Sequence, residues 1–500
     1  MTEARCEIDH PPPAPPGGRS KNVRLPRPGT RALAFLWTAG ESAARQIMGL
    51  GLSLAVLAFV TPHDLGVYSI AFSIVLVLAL IVDDPVSEAL IQRPVASALD
   101  WDTGFTVNLA VACGMVAFAA AISSPVAAWL AVPELRTALP VLAACIIAGA
   151  LGNIQRSHLT RDMRFPVLVK ISVAANLAGG AGALALAVAG FGYWAMIAGT
   201  LITNAAGTAM YRRAASWRPR LRISRESLLS LSGFAGQSFA AHCVSLMREG
   251  TLPIILGYAS SATDVGYFSL ALRISRTLGL FFEDMTRRPL FTLMSRLAQE
   301  PQRAASFLLD LITVVGAVAL PAFAGLALLG PDAAVLVFGA KWAPAGHLLP
   351  LLCAIVFGWF TLHVPAVAMR ATGEARRSIW LLAVPTAIDL VLFATLLRAD
   401  LETALTGMAV RAAVWLPLLA AVVHRRLGVA GTAILARWTL PLLGVCCMTL
   451  CIEIVRPHVN AGWTGLPVLL TVGALSYAAV LAAGWALGDR RLYRALREIR

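Results

Sequence analysis

Asp64-Leu65-Gly66-Val67-Tyr68-Ser69-Ile70-Ala71-Phe72-Ser73-Ile74 is echoed 200 residues later by Asp264-Val265-Gly266-Tyr267-Phe268-Ser269-Leu270-Ala271-Leu272-Arg273-Ile274. Five of the eleven positions are identical, and the Leu/Val, Tyr/Phe and Ile/Leu exchanges are conservative. Twenty residues further on, Asp83-Asp84 stands opposite Glu283-Asp284. Each stretch follows one long apolar run and opens a second. Neither run alternates in polarity, and both far exceed the roughly 10 residues of a membrane barrel strand, so both read as helices.

The chain around this repeat is built in the same way. Of 500 residues, 58% are hydrophobic and 14% charged, with a mean hydropathy of +0.74. Soluble domains hold about 45–50% and about 25%. A disordered chain, a secreted disulfide scaffold and a cytosolic enzyme are excluded. The eight cysteines contain no CxxC pair, so no metal site is expected.

About 20 apolar residues are needed per crossing. Fourteen spans are predicted, at 33–60, 65–91, 104–131, 138–155, 166–188, 192–211, 228–257, 264–286, 305–330, 346–369, 378–397, 403–423, 435–455 and 465–488. An even number of spans separates the two copies of the repeat, which predicts parallel halves about an axis along the membrane normal. The expected fold is all-α integral membrane, with about 14 transmembrane helices in two pseudo-symmetric six-helix lobes around a central cleft, plus two C-terminal helices. The corresponding divisions are a disordered cytoplasmic tail (1–30), an N-terminal lobe (31–212), a basic cytoplasmic linker (213–227) and a C-terminal lobe (228–426). Two accessory helices (427–488) and a basic cytoplasmic tail (489–500) follow. The longest expected loops, near 287–304 and 331–345, hold only about 15–18 residues.

The 41 Lys and Arg against 27 Asp and Glu give a net charge of +14. With a cytoplasmic N-terminus, 32 of the 41 fall on the cytoplasmic side, 4 outside and 5 within spans. This asymmetry obeys the positive-inside rule and predicts that both termini are cytoplasmic. The excess of positive charge therefore records topology, and no nucleic-acid partner is expected.

Four short segments carry a resemblance. They are Asp64-x-Gly66-x-Tyr68-Ser69, Gly190-Phe191-Gly192-Tyr193-Trp194-Ala195, Trp217-Arg218-Pro219 with Ser224, and Lys341-Trp342-Ala343-Pro344-Ala345. In this order, across most of residues 33–425, the chain resembles the lipid-linked oligosaccharide flippases of bacterial surface-polysaccharide assembly. These form the polysaccharide-transporter branch of the superfamily that also holds multidrug and toxin extruders. The resemblance implies a repeat-unit oligosaccharide on undecaprenyl diphosphate, moved from the cytoplasmic to the outer leaflet of the bacterial inner membrane during lipopolysaccharide or exopolysaccharide assembly. It implies membrane lipid, a polysaccharide polymerase and chain-length machinery as partners, and a cleft lined by spans 1, 2, 7 and 8.

Charges inside spans cost about 2.5–3.5 kcal/mol each on insertion scales, so they are functional candidates. Span 1 carries Glu41 and Arg45, span 7 Arg248 beside Glu249, and span 8 Arg273 and Arg276; the fifth intramembrane cation, Arg411, lies in span 12. Guanidinium groups bind phosphate oxygens bidentately and keep their charge. Arg45, Arg248, Arg273 and Arg276 are therefore expected to hold the diphosphate, with Glu41 and Glu249 compensating them in the empty state. The competing reading is helix-to-helix ion pairing: Glu41 with Arg45, and Glu249 with Arg273 or Arg276. Asp83 and Asp84 with Arg287 and Arg288 read either as a gate or as side chains snorkelling to the surface.

No Walker-type glycine-rich loop is present, so neither ATP nor another cofactor is expected. The short outer loops disfavour a membrane glycosyltransferase or polymerase. A multidrug exporter is disfavoured by four cleft arginines against two glutamates, while a lipid II flippase remains a close alternative.

Overall fold

The computed structural model describes residues 51–52, 54–83, 90, 97–228, 250–297, 300–428, 431–459 and 462–486. Most of the expected first and seventh spans lies outside them. The described residues contain helices and no strand. In chain order these are α1 (Pro62–Asp83), α2 (Ala98–Trp129), α3 (Leu135–Arg161), α4 (Phe165–Val188), α5 (Tyr193–Ala214), α6 (Thr251–Ala259) and α7 (Ala262–Arg296). There follow α8 (Pro301–Phe338), α9 (Ala343–Ala371), α10 (Ala375–Leu396), α11 (Leu401–Leu427), α12 (Gly431–Val455) and α13 (Gly465–Ala486).

Each expected span from the second to the sixth and from the eighth to the fourteenth overlaps one helix. Ten helices among the described residues are long and apolar enough to cross a membrane. α5 and α7 are not among them, and along α7 charges recur from Arg273 to Arg296. The expected loops near 287–304 and 331–345 are largely helical instead, since α7 continues to Arg296 and α8 runs from Pro301 to Phe338. Arginine interrupts an apolar run without interrupting a helix, for which it is a good former.

α1 to α5 pack against one another, as do α7 to α11, and α1 against α7 is the principal contact between the two groups. Both crossing helices begin with the repeat, and both begin alike. Asp64 accepts from the Thr61 hydroxyl (2.5 Å) and amide (3.2 Å), and Asp264 accepts from the Ser261 hydroxyl (2.7 Å) and amide (3.2 Å). The Asp64 and Asp264 amides donate back to those hydroxyls at 3.2 Å each. These reciprocal caps satisfy orphan amides of the first turn and fix where each helix starts.

α12 and α13 dock on α8. Arg437 pairs with Asp310, the Trp438 indole donates to Ile312 O at 3.3 Å, and the Tyr477 hydroxyl donates to Ala317 O at 2.6 Å. Arg456 donates to Leu328 O (2.6 Å) and to Asp332 (3.2 Å) at the far end. A second buried ion pair braces α10 against α11, with Arg411 Nε and Nη2 each 2.7 Å from the Asp389 carboxylate. The Trp359 indole of α9 donates to the same carboxylate at 3.0 Å.

Candidate functional site

The four motif segments all turn out to be docking elements. Gly192 has φ +54°, and a Cβ there would lie 2.6 Å from Asp64 Oδ1, so only glycine lets the turn before α5 reach that carboxylate. The Tyr193 amide then donates to Asp64 Oδ1 at 3.1 Å. Lys341 Nζ donates to Ala58 O (2.9 Å) and Val60 O (3.0 Å), while the fully buried Trp342 donates to Leu57 O at 3.3 Å. Lys341 and Trp342 thus take up the unsatisfied carbonyls where the helical residues 54–59 end. In the other direction, Trp129 at the end of α2 stacks on Tyr258 at the end of α6, with ring centroids 4.8 Å apart. These contacts lie at the end of the bundle where the repeat begins. At the opposite end, Trp217 packs 6.2 Å from both Trp101 and Phe105, and Arg161 donates to Leu90 O at 2.9 Å.

Arg273 lies on α7 three turns beyond its start, in the electrostatic neighbourhood of Tyr68 on α1. Its side chain is accessible to solvent. Tyr68 in turn shares a hydrogen bond of 2.9 Å with Thr200 of α5, and Asn204 one turn along donates to Thr200 O. The α1, α5 and α7 faces therefore bring a cation, a phenol, a hydroxyl and an amide near one another. That set of donors suits phosphate and sugar oxygens.

Arg276 differs from Arg273. Its Nη1 is 2.7 Å from Glu283 Oε1, two turns along the same helix, and the other Glu283 oxygen is 3.9 Å from His363 Nδ1 of α9. The side chains of Arg276 and Glu283 are only 12% and 10% exposed. Arg287 lies 3.6 Å from Asp284 on the exposed surface of α7. Asp83 ends α1 and Arg288 lies within α7, whereas Glu41, Arg45, Asp84, Arg248 and Glu249 lie outside the described residues.

Glu283 and His363 were not singled out from the sequence as partners of Arg276. The available signal was a seven-residue spacing, which returns to one helical face after two turns. A cavity of about 550 Å³ between α8, α9, α11 and α12 is a poor headgroup site, because Phe357, Phe360, Leu416, Leu435 and Trp438 give it apolar walls.

The chain matches the family model described as polysaccharide biosynthesis protein over residues 56–346. Among curated proteins it is 23% identical over 302 residues to the succinoglycan biosynthesis transport protein ExoT of Rhizobium meliloti, covering 60% of this chain and 61% of that one. It is 23% identical over 317 residues to the lipopolysaccharide biosynthesis protein WzxC of Escherichia coli, covering 62% and 64%. The matched region thus spans less than two thirds of these relatives' length. Among solved structures, the lipid II flippase MurJ in an inward closed conformation superposes with a TM-score of 0.74 at 12% identity, over 91% of this chain and 99% of that one. An inward-facing multidrug resistance MATE family transporter superposes at 0.60 and 16% identity, over 77% and 98%. At those identities the likeness is one of fold alone. With more than half of its length inside the family model, the chain belongs to the polysaccharide biosynthesis protein family, on the fold shared by MurJ and the MATE transporters.

Proposed function

We propose that this protein is a flippase for polyprenyl-diphosphate-linked oligosaccharide repeat units, moving them from the cytoplasmic to the outer leaflet for surface or exopolysaccharide assembly. It acts without catalysing a covalent step, by alternating access between lobes 31–212 and 228–426 joined by the linker 213–227. It sits in the bacterial inner membrane with both termini cytoplasmic, and delivers its cargo to a polymerase with its chain-length machinery.

The observation that carries this reading is Arg273, a solvent-accessible guanidinium on α7 in the electrostatic neighbourhood of Tyr68, within a family named for polysaccharide biosynthesis. A guanidinium there suits a diphosphate and repels the organic cations that drug exporters carry. Arg45 and Arg248 complete the proposed headgroup site, with Glu41 and Glu249 balancing it when empty, while Arg276, expected from the sequence to join them, is taken up by Glu283 and serves as a brace. Asp83, Asp84, Arg287 and Arg288 form the proposed gate at the cytoplasmic end.

Deletion and complementation test this. The deletion strain is expected to lose one surface polysaccharide while growing normally and keeping its drug tolerance. The wild-type chain restores the polymer, and Arg273→Gln at normal membrane abundance does not. Lethality would point instead to a cell-wall precursor, and drug sensitivity with intact polymer to drug export.

A further inference from the structure

The segment joining α5 to the second group of helices is bolted to the start of α2 through its backbone. The Arg220 amide donates to Asp102 Oδ1 (3.2 Å), the Arg222 amide to Thr106 Oγ1 (3.1 Å) and the Ser224 amide to Thr103 Oγ1 (3.1 Å). The Ser227 hydroxyl donates to Asp100 Oδ1 at 2.6 Å. Asp100, Asp102 and Thr103 are buried by this contact, and Trp217 wedges against Trp101 and Phe105. A freely solvated linker has no need of such fixation.

What the fixed strap presents outward is unusual. Arg212, Arg213, Arg218, Arg220, Arg222 and Arg225 are all exposed, and no ion pair joins any of them to a carboxylate among the described residues. Between them Leu221 and Ile223 are 72% and 63% exposed. Residues 217–224 are not helical. Leu221 and Ile223 alternate along the chain with Arg220 and Arg222. The neighbouring turn repeats the pattern: exposed Met163 and Phe165 flank Arg164, whose Nη1 donates to Ala214 O at 3.0 Å. Of the acidic groups on the strap and that turn, Glu226 and Asp162 are exposed, and Asp162 lies 3.2 Å from His158.

Aliphatic side chains between arginines that no described carboxylate neutralises (Arg218 Nη1 reaches the Arg212 carbonyl), on a backbone fixed to the start of the membrane-length α2, match the chemistry of a headgroup layer. We propose that residues 212–225 bind anionic phospholipid. The guanidinium groups of Arg218, Arg220 and Arg222 hold lipid phosphates, and Leu221 and Ile223 sit at the boundary of the acyl chains. Nucleic acid would use the arginines but leaves the two aliphatic side chains without a role. The strap thereby fixes the first group of helices to the leaflet surface at the connection to the second. Only the assignment to the cytoplasmic leaflet rests on the proposed topology.

The test uses the full-length protein in detergent, titrated with phosphatidylglycerol or phosphatidylcholine, with bound lipid counted by native mass spectrometry. Phosphatidylglycerol is expected to bind at least tenfold more tightly, and to weaken in high salt. The triple variant Arg218→Gln, Arg220→Gln, Arg222→Gln is expected to lose about 100-fold in phosphatidylglycerol affinity, at roughly fivefold per arginine. The corresponding triple Lys variant keeps the preference. Leu221→Ser with Ile223→Ser weakens both lipids. Equal binding of the two lipids by the wild type, or an unchanged preference in a monodisperse Gln variant, overturns the proposal. Displacement of phosphatidylglycerol by inorganic pyrophosphate at matched concentration also overturns it, marking a substrate-headgroup site instead. Thiol labelling of Ile223→Cys in spheroplasts and in inverted vesicles tests the leaflet separately, so a failed topology leaves the lipid result standing.

Discussion

Gly66 and Gly266 each face the backbone of the other's helix. A Cβ at Gly66 would lie 1.6 Å from Ala262 O, and one at Gly266 would lie 1.9 Å from Pro62 O. Both residue pairs are offset by the 200 residues of the repeat, so the contact has the reciprocity of a two-fold axis between α1 and α7. The obstructing atoms are backbone, which cannot rotate aside as a side chain can. Two glycines make a tight seal without interlocking side chains, and such a seal would part at little cost in the proposed rocking of the lobes.

Alanine at either glycine should therefore prop α1 and α7 apart at this end. Spin labels at Thr61→Cys and Ser261→Cys, in a background lacking the native cysteines, should report longer distances in Gly66→Ala or Gly266→Ala than in the parent. Transport should fall about tenfold or more at near-normal abundance, since one of the two states is disfavoured by several kcal/mol. An unchanged distance distribution would show that the crossing is not the closing contact.

The second latch is Trp342, buried completely with its indole on Leu57 O and neighbouring Lys341 on Ala58 O and Val60 O. Trp342→Ala removes a large buried side chain and should cost about 3–5 kcal/mol of stability. Lys341→Met removes only the two charge-assisted hydrogen bonds and should cost about 1–3 kcal/mol. Thermal unfolding in detergent measures both, and a smaller loss for Trp342→Ala than for Lys341→Met would contradict the assignment.

The contrast between Arg273 and Arg276 separates ligand from brace. Arg276→Gln withdraws the guanidinium 2.7 Å from the buried Glu283 and should lower membrane abundance, because breaking a buried pair costs about 3–5 kcal/mol. Arg273→Gln takes away a solvent-accessible cation and should leave abundance within about twofold while abolishing surface polymer. Immunoblots of membranes beside polysaccharide gels distinguish the two. If Arg273→Gln loses abundance and polymer together, Arg273 is structural.

The helices were legible because hydropathy is a one-dimensional signal: α4, expected at 166–188, runs from Phe165 to Val188. The reading failed where charge and helix part company, at Arg287 to Arg296 of α7, because arginine ends a hydrophobic run but not a helix. The repeat was visible as matched letters, yet its meaning was not. Nothing in Asp-x-Gly says that the glycine will press on the backbone of its counterpart 200 residues away. Of the site, Arg273 was legible as an intramembrane cation, whereas its neighbours Tyr68 and Thr200 come from helices that only folding brings together. The Arg276–Glu283 pair needed a partner two turns along, and the sequence also offered Glu249.

The pair least visible in the sequence makes the most quantitative prediction. Asp389 and Arg411 stand on α10 and α11, joined by two hydrogen bonds of 2.7 Å, and Asp389 also accepts from Trp359. Their side chains are only 4% and 8% exposed. Taking both charges out of water costs several kcal/mol per ion, which their mutual attraction largely offsets. The net worth of the pair is therefore small, while the cost of breaking it is large. Arg411→Met alone should destabilise the protein by about 3–5 kcal/mol, leaving a buried carboxylate without its cation. Asp389→Leu should do the same from the other side. The double variant Asp389→Leu, Arg411→Met should recover most of the loss, apart from about 1–3 kcal/mol for the stranded Trp359 indole. Unfolding midpoints of the four proteins in one detergent close the cycle. Additive losses would mean that the two residues are energetically independent and that α10 and α11 are held together by apolar packing alone.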